Sequence, residues 1–176
     1  MPRRRDVRET YERIATHFAE TRPEPWSEVA EFLEGRSGEF GLDIGAGNGR
    51  HAELLAARVD RVLAIDASRA AVGTALDRSR ERGFDLDVSL GDATALPVRG
   101  GCVDLAAYIA TIHHLPDRAL RVESLDELAR VLAAGGAAIV SAWSVSHARF
   151  DRESGFDTHV DWTLPDSETV PRFYHV

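Results

Sequence analysis

The sequence of 176 residues contains no lysine, only one cysteine, Cys102, and no long uninterrupted apolar run. All 21 basic residues are therefore arginine, a bias that suggests a salt-adapted proteome. A single cysteine excludes an internal disulfide, and no apolar stretch approaches the roughly 18 residues of a membrane span. Arg3, Arg4 and Arg5 are not followed by an apolar segment, so we expect no signal peptide and a cytoplasmic location.

The chain also lacks an excess of basic charge, because its formal net charge is −8. Non-specific nucleic-acid binding depends on Lys and Arg contacts to phosphate, so the acidic balance argues against it for the surface as a whole. A local basic patch is not excluded. The sequence offers one candidate patch, although its plainer interpretation is a solvated helix face. That candidate consists of Arg3, Arg4, Arg5, Arg8 and Arg13.

Hydrophobic spacing predicts two N-terminal helices followed by alternating strands and helices. Apolar residues recur at helical spacing between Val7 and Phe18, and again from Trp26 to Leu33 beyond a proline-rich breaker. The alternation implies a doubly wound, mostly parallel α/β sheet with helices on both faces and right-handed crossovers. We predict strands at 40–44, 61–65, 85–90, 103–110 and 137–143, and helices at 50–57, 69–82 and 117–134.

The length fits one domain with three parts. We expect lid helices at 1–36, a ligand-binding core at 37–143 and a substrate-side tail at 144–176. The periodic pattern fades after Trp143, so this tail is predicted to be loop and short helix without a convincing strand.

A glycine-rich loop joins the first predicted strand to the first crossover helix. Glycine allows the backbone to turn sharply and to approach a ligand closely, and the helix N-terminus offers free N–H groups. Nucleotide-binding dehydrogenases share such loops, but the spacing here is G-x-G-x-G and no basic residue is placed to meet a pyrophosphate. The candidate residues are Asp43, Gly45, Ala46, Gly47 and Asn48.

Two more acidic residues follow the next two strands. Asp66 ends the second strand, where a carboxylate can accept both hydroxyls of a ribose, although an Asp there can also cap a helix. Asp92 follows the third strand, where it can accept the exocyclic amine of adenine. Three successive strand ends thus converge on the crevice in which open α/β sheets bind ligands, with Ala67 and Ala93 beside them.

With these motifs in order, residues 38 to 143 resemble the class I S-adenosylmethionine-dependent methyltransferases. The resemblance implies a Rossmann-like methyltransferase sheet and S-adenosylmethionine as the cofactor. It assigns the residues named above to cofactor binding and adds Ile109 at the end of the fourth strand.

Further segments resemble the tRNA wobble-uridine methyltransferases that esterify a carboxymethyl group. They include Ile112-His113-His114-Leu115, an N-terminal stretch from Tyr11 to Trp26, and the segment from Val160 to His175. The resemblance places the fourth-strand segment beside the methyl group. It implies that tRNA is the substrate.

The candidate catalytic residues are His113, His114 and Arg22. Either histidine could orient the acceptor, or could act as a base if the acceptor were a carbon or a phenol, but both could also be core histidines. An ionised carboxylate needs no base, and Arg22 or Arg172 could hold it as a bidentate clamp. Arg172, Tyr174 and His175 are the substrate-side candidates, unless they are simply a solvent-exposed chain end.

The sequence departs from the class at its C-terminal end. Class I enzymes normally finish with a β-hairpin beside the fifth strand, and no such strand pair is predicted after Trp143. We therefore expect a sheet that lacks the last two strands, because the chain is either shortened or not fully represented, and a fifth strand left at an edge.

The resemblance also implies a small zinc-binding activator protein that adds a strand beside the third strand. Here the partner edge is expected at Leu86, Val88 and Leu90, although Asp85 and Asp87 could simply blunt an ordinary edge strand. The zinc would belong to the partner, because one cysteine cannot build a structural zinc site in this chain.

Three functions follow from these observations. The first is an S-adenosylmethionine-dependent methyltransferase that modifies tRNA near the wobble uridine together with an activator subunit. The second is a methyltransferase for a small molecule such as a quinone precursor, since the Asp-Ala-x-x-Leu-Pro and His-His-Leu segments occur there too. The third is a cofactor-binding but inactive module that holds the activator.

Overall fold

A computed structural model describes residues 3–144 and 154–176 of the chain. The helices are α1 (Arg4–Thr21), α2 (Ser27–Leu33), α3 (Arg50–Ala56), α4 (Arg69–Arg82) and α5 (Arg118–Val131), with a one-turn 3₁₀ helix at Ile112–His114. The strands are β1 (Gly38–Ile44), β2 (Val59–Asp66), β3 (Asp87–Leu90), β4 (Val103–Ile109), β5 (Leu132–Ser141), β6 (Asp157–Thr163) and β7 (Thr169–His175).

Five strands form one sheet in the order β3-β2-β1-β4-β5, and each neighbouring pair is parallel. The predicted doubly wound α/β fold is therefore confirmed. The chain crosses from β1 to β2 on one side and later returns to place β4 on the other side of β1. This reversal opens a crevice at the carboxyl ends of the strands, which is where such sheets bind ligands.

The sheet has an apolar core on each face. One cluster joins α2 and α3 to the strands through Leu33, Leu55 and Leu105, and the other joins α5 to the strands through Tyr108 and Leu128. All five side chains are at most 5% exposed. Because both faces are covered, the central strands consist of nearly continuous apolar residues, as expected for a parallel sheet.

The boundary between α5 and β5 differs from the prediction. The helix predicted at 117–134 ends at Val131, and β5 begins at Leu132, which pairs with Val103. The register then shifts, and regular pairing resumes between Leu105 and Ala137. Gly135, with φ +83°, lies in this irregular segment and does not cap the helix, because the tertiary pairing overrides the local helical pattern.

The tail contains a β-hairpin, so the prediction of loop and short helix was wrong. Strands β6 and β7 pair antiparallel in a two-stranded sheet of their own. Trp162 of β6 and Val170 of β7 form a third apolar cluster with Ile14 of α1. Strand β6 alternates exposed aspartates with inward-facing residues, and Pro171 interrupts β7, which weakens the sequence signal for both strands.

The hairpin does not join the main sheet, so in the described part of the chain β5 is an edge strand, as expected, and β3 is the other edge. Among the described residues, no helix combines the length and the apolar character required to cross a membrane.

Candidate active site

A cavity lies at the carboxyl ends of β1, β2 and β4, and α1 forms one of its walls. The predicted cofactor-site residues that line it are Gly45, Ala46, Gly47, Asn48, Asp66, Ala67, Asp92, Ala93 and Ile109. Helix α1 contributes Arg4, Val7, Arg8, Tyr11, Ala15 and Phe18. Apart from Asp43, the residues predicted from three strand ends therefore meet in one place.

The glycine loop after β1 is held against β2 and β4. The backbone N–H groups of Gly45 and Ala46 donate to the Ile65 carbonyl at 2.8 and 3.0 Å. Gly45 has φ +68°, and a Cβ there would lie only 2.3 Å from side-chain atoms of Thr111. Gly47 has φ +54°, and a Cβ there would meet no atom within 4 Å. The loop is tightly packed at Gly45 and open at Gly47.

Asp66 has both carboxylate oxygens anchored by backbone donors. Oδ2 accepts from the Gly47 N–H and Oδ1 from the Ser68 N–H, each at 2.9 Å. Burial raises the pKa of Asp66, and the backbone hydrogen bonds from Ser68 and Gly47 oppose that rise. A carboxylate oxygen has more than one acceptor position, so the carboxylate is fixed in orientation and can still accept hydroxyl groups from the cavity.

Asp92 is held between its own turn and α1. Its Oδ1 accepts from the Thr94 N–H and hydroxyl at 2.9 and 2.8 Å, and its Oδ2 accepts from Arg4 Nη1 at 2.6 Å. The Arg4–Asp92 pair is about half exposed, so it adds little to stability. It brings the first turn of α1 to the end of the cavity that contains Asp92.

Asp43 lies beneath the loop and does not line the cavity. It is 1% exposed, and its carboxyl group accepts from the backbone N–H of Ala52 in α3, while Oδ2 has no partner among the residues that the structure describes. Burial raises the pKa of Asp43 to about 7, with a further contribution from the charge of Asp66. Its hydrogen bond from α3 fits support of the loop–helix junction.

Asn48 and Arg50 tie the loop to the segment after α1. Asn48 Nδ2 and Arg50 Nη1 donate to the Arg22 carbonyl at 3.0 and 3.3 Å, and Arg50 Nη1 also donates to the Glu24 carbonyl at 3.2 Å. Asn48 Oδ1 is buried and has no hydrogen-bond partner in the described part of the chain. A buried acceptor that lines the cavity and lacks a donor is available to a ligand.

His114 lines the cavity in a single defined tautomer. Its Nδ1 lies 2.6 Å from the Phe173 carbonyl and its Nε2 lies 2.8 Å from the Tyr11 hydroxyl. Because a carbonyl only accepts, Nδ1 carries the proton and Nε2 accepts from Tyr11. Burial lowers the pKa of His114 to about 4, so the ring is neutral near pH 7. Because its acceptor nitrogen, Nε2, is already occupied by the Tyr11 hydroxyl, His114 is suited to positioning Tyr11.

His113 is buried behind His114 and does not line the cavity. Its Nδ1 accepts from the Trp143 backbone N–H at 3.1 Å, and its ring packs against Tyr174 with centroids 5.0 Å apart. Burial lowers the pKa of His113 to about 2. The two adjacent histidines therefore have different surroundings, and only His114 faces the cavity.

The substrate-side candidates divide between two faces of β7. Arg172 and Tyr174 lie on the side of α1 and His114, with the Tyr174 ring 4.8 Å from the His114 ring. His175 points to the opposite face, where Nδ1 bonds Asp157 at 2.6 Å. Successive residues of a strand alternate in this way. The structure thus separates His175 from the other candidates.

Arg22 and Arg172 lie beside one aromatic ring just outside the cavity. Their Cζ atoms are 5.4 and 4.7 Å from the ring centroid of Trp162. Arg22 is exposed, whereas Arg172 is half-buried and its Nε has no partner within residues 3–144 and 154–176. The charge of Arg172 opposes the burial that raises the pKa of the Tyr11 hydroxyl, and Tyr11 is a residue of the cavity wall.

Several residues of the site were missed from the sequence. Tyr11 was named only as the start of a family-like N-terminal stretch, and Arg4, Arg50 and Thr111 were not selected. The signal for Arg50 and Thr111 was available, since they immediately follow the glycine loop and the fourth strand. The signal for Arg4 and Tyr11 was not, because it depends on where α1 docks.

The family follows from residues 42–140, which match the model of a methyltransferase domain. The chain belongs to this methyltransferase-domain family. Over 152 residues it is 39% identical to the tRNA (carboxymethyluridine(34)-5-O)-methyltransferase ALKBH8 of Mus musculus, which covers 85% of this chain and 22% of that protein. Over 172 residues it is 33% identical to the tRNA (carboxymethyluridine(34)-5-O)-methyltransferase of Saccharomyces cerevisiae, and this alignment covers 94% of this chain and 59% of the yeast protein. The methyltransferase domain thus spans less than two thirds of these relatives.

Two solved structures share the methyltransferase-domain fold. The DhpI-SAM-HEP complex aligns with a TM-score of 0.74 at 19% identity and covers 98% of this chain and 81% of that one. A chain from the complex of the Haloferax volcanii Trm112 methyltransferase activator with a methyltransferase aligns with a TM-score of 0.61 at 22% identity, covering 74% and 57%. Identities this low support the fold alone.

Proposed function

We propose that the protein is an S-adenosylmethionine-dependent methyltransferase that esterifies a carboxymethyl group on the wobble uridine of tRNA. The observation that carries the proposal is the fixed Asp66 carboxylate, which lies in one cavity with the glycine loop and Asp92. Family membership supports methyl transfer, and the printed activity of the curated relatives supports the acceptor.

The residues present fit this cofactor. Asp66 would accept the ribose hydroxyls, and Asp92 would accept the adenine amine. The buried Asn48 Oδ1, which has no partner among the described residues, would accept from the amino group of the cofactor. The open space above Gly47 allows a ligand to approach the backbone. When bound, S-adenosylmethionine supplies a methyl group on a positively charged sulfur.

The chain's own residues would hold and orient the acceptor. An ionised carboxylate needs no general base, so the neutral His114 is not required to take a proton. Arg172 would bind the carboxylate, and the Tyr11 ring, fixed by the hydrogen bond from its hydroxyl to His114, would form the cavity wall beside it. Helix α1 and the hairpin would exclude water. Positioning and a dry site supply most of the rate gain that such a transfer requires.

The proposal includes a small activator protein bound at β3. This strand is an edge of the sheet, and the Leu90 side chain is 43% exposed. Leu86 and Val88 are half-buried against the core, so the backbone edge with Leu90 would form the contact. The structural neighbour found in complex with the Trm112 activator supports this partner class. A cytoplasmic location, where tRNA is found, is also part of the proposal.

Mass spectrometry of tRNA nucleosides from a deletion strain tests the acceptor. We expect the methyl ester of carboxymethyluridine to disappear and to return when the gene is restored. Restoration with a variant carrying Asp66→Ala should fail. Unchanged wobble uridines in the deletion strain would contradict the tRNA assignment and favour the small-molecule alternative or the inactive module. Measurable methyl transfer by the purified chain to any acceptor would then exclude the inactive module.

A further inference from the structure

Arg22 and Arg172 form an unusual pair in an acidic chain. Several other arginines have carboxylate partners, for example Arg78 with Glu53 and Arg130 with Glu127. Within residues 3–144 and 154–176, neither Arg22 nor Arg172 takes part in an ion pair, yet both lie against the ring of Trp162. Two cations that share one ring without a neutralising acid favour the binding of anions.

The two arginines differ in their access to solvent. Arg172 is half-buried, lies against the rings of Trp162 and Tyr174, and has a buried Nε without a partner among the described residues. Arg22 is exposed, and the structure gives its guanidinium one hydrogen bond, from Nη1 to the Thr21 carbonyl at 2.9 Å. Arg172 therefore suits an anion that enters the site, whereas Arg22 suits an anion that stays hydrated.

Arg22 is also held in place by its backbone. Its carbonyl accepts from Asn48 Nδ2 and Arg50 Nη1, so the residue is tied to the glycine loop. Its side chain extends over Trp162, whose ring packs 5.3 Å from that of Phe18 in the cavity wall. The cation thus has a defined position at the rim and is not a freely moving surface arginine.

We propose that Arg22 binds a backbone phosphate of the RNA next to the acceptor nucleotide, while Arg172 binds the carboxylate on the base. The inference rests on the proposed function and assigns separate roles to the two arginines. Both Cζ atoms lie near the Trp162 ring centroid, so the two cations are no farther apart than the sum of those two distances. The carboxymethyl group on the base and the phosphate of one nucleotide lie within such a distance of each other. Contacts to phosphate position nucleic acids, whereas contacts to the base specify them.

The test compares two anticodon stem-loop RNAs that are identical except for carboxymethyluridine or plain uridine at the wobble position. Affinities are measured with the full chain and S-adenosylhomocysteine over a range of salt concentrations. We expect Arg22→Gln to weaken both RNAs by a similar factor of about 10. The logarithmic salt dependence of affinity should fall by about 0.7, as expected for one lost phosphate contact on a single strand. Arg172→Gln should weaken the carboxymethyluridine RNA selectively.

Arg36→Gln is the matched control. Arg36 is also exposed, its Cζ lies 4.6 Å from the Phe32 ring centroid, and its Nη1 donates to the Phe32 carbonyl, but it is remote from the cavity lining. Unchanged melting temperatures would show that all three variants fold.

Two outcomes overturn the inference. One is an Arg22→Gln variant that loses affinity only for the carboxymethyluridine RNA, which would make Arg22 a carboxylate ligand. The other is an effect on both RNAs no larger than that of Arg36→Gln. Failure of the proposed function would look different, because the wild-type chain would then not distinguish the two RNAs or methylate either of them.

Discussion

Tyr11 and His114 form a directed hydrogen bond, in which the tyrosine hydroxyl donates to Nε2 at 2.8 Å while Nδ1 donates to the Phe173 carbonyl. Because burial lowers the pKa of His114 to about 4, the ring stays neutral across the neutral pH range. We predict that kcat/KM shows no inflection from His114 between about pH 5 and 8. A pH profile of the wild type and of His114→Gln measures this. An inflection near the ordinary histidine pKa that vanishes in the variant would contradict the positioning role.

Replacing Tyr11 by Phe should lower activity without weakening the binding of the cofactor. The change leaves the buried Nε2 of His114 without a donor, which costs about 1–3 kcal/mol of unfolding free energy. Tyr108→Phe is the matched control, because its buried hydroxyl donates to Ser124 at 3.2 Å but lies outside the cavity. We expect a loss of kcat in Tyr11→Phe alone, and equal activity losses in the two variants would show that stability is the cause.

Asp66→Asn should raise the dissociation constant of S-adenosylhomocysteine by about 100-fold or more. The amide group replaces one acceptor by a donor, so it faces either the Gly47 or the Ser68 N–H with a donor of its own. Isothermal titration calorimetry measures the loss. Asp87→Asn, at an exposed ion pair with Arg61, is the control and should bind normally. Normal binding by Asp66→Asn would remove the basis of the ribose assignment.

The strand-end residues were predictable because their logic is local. Asp66 is the last residue of β2 and Asp92 follows β3, and parallel strands bring their carboxyl ends together. The contacts of Arg4 and Tyr11 with those ends were not predictable, since helical spacing shows an apolar face without identifying what that face covers. The hairpin was missed for another reason, because the exposed aspartates of β6 lower its apolar content while its alternation of period two remains.

Two glycine substitutions should separate packing from backbone strain. Gly47→Ala meets open space, so we expect only the cost of a left-handed residue, about 1–2 kcal/mol. Gly45→Ala carries the same strain and also clashes with Thr111, so it should destabilise the protein by more. Thr111→Ala should partly rescue Gly45→Ala and leave Gly47→Ala unchanged. Chemical denaturation measures the three single and the two double variants, and equal losses for the two glycines would contradict the packing described here.

Stability should fall as the pH drops below about 6.5. Burial lowers the pKa of His51 to about 3, of His113 to about 2 and of His114 to about 4, so the unfolded chain takes up protons that the folded chain does not. Each such histidine contributes about 1.4 kcal/mol per pH unit once the unfolded ring is protonated. Asp43 opposes them, because its raised pKa of about 7 stabilises the fold as the pH falls toward 4.

Denaturation curves between pH 7 and pH 4 measure the net effect. Asp43→Asn should make the acid loss steeper, because it removes one of two buried carboxyl groups, Asp43 and Asp66, whose raised pKa works against the histidines. A stability that rises throughout this range would show that the histidines are not buried in their neutral form.

Methyl transfer by the purified chain tests the central claim most directly. The full chain, alone and with a Trm112-type partner, is incubated with S-adenosylmethionine carrying a labelled methyl group and tRNA from the deletion strain. We predict that the label appears in the wobble nucleoside as a carboxymethyluridine methyl ester, from which mild base releases the label. We predict that Asp66→Asn abolishes the labelling. Labelling that is absent with and without the partner, or that resists mild base, would contradict the account.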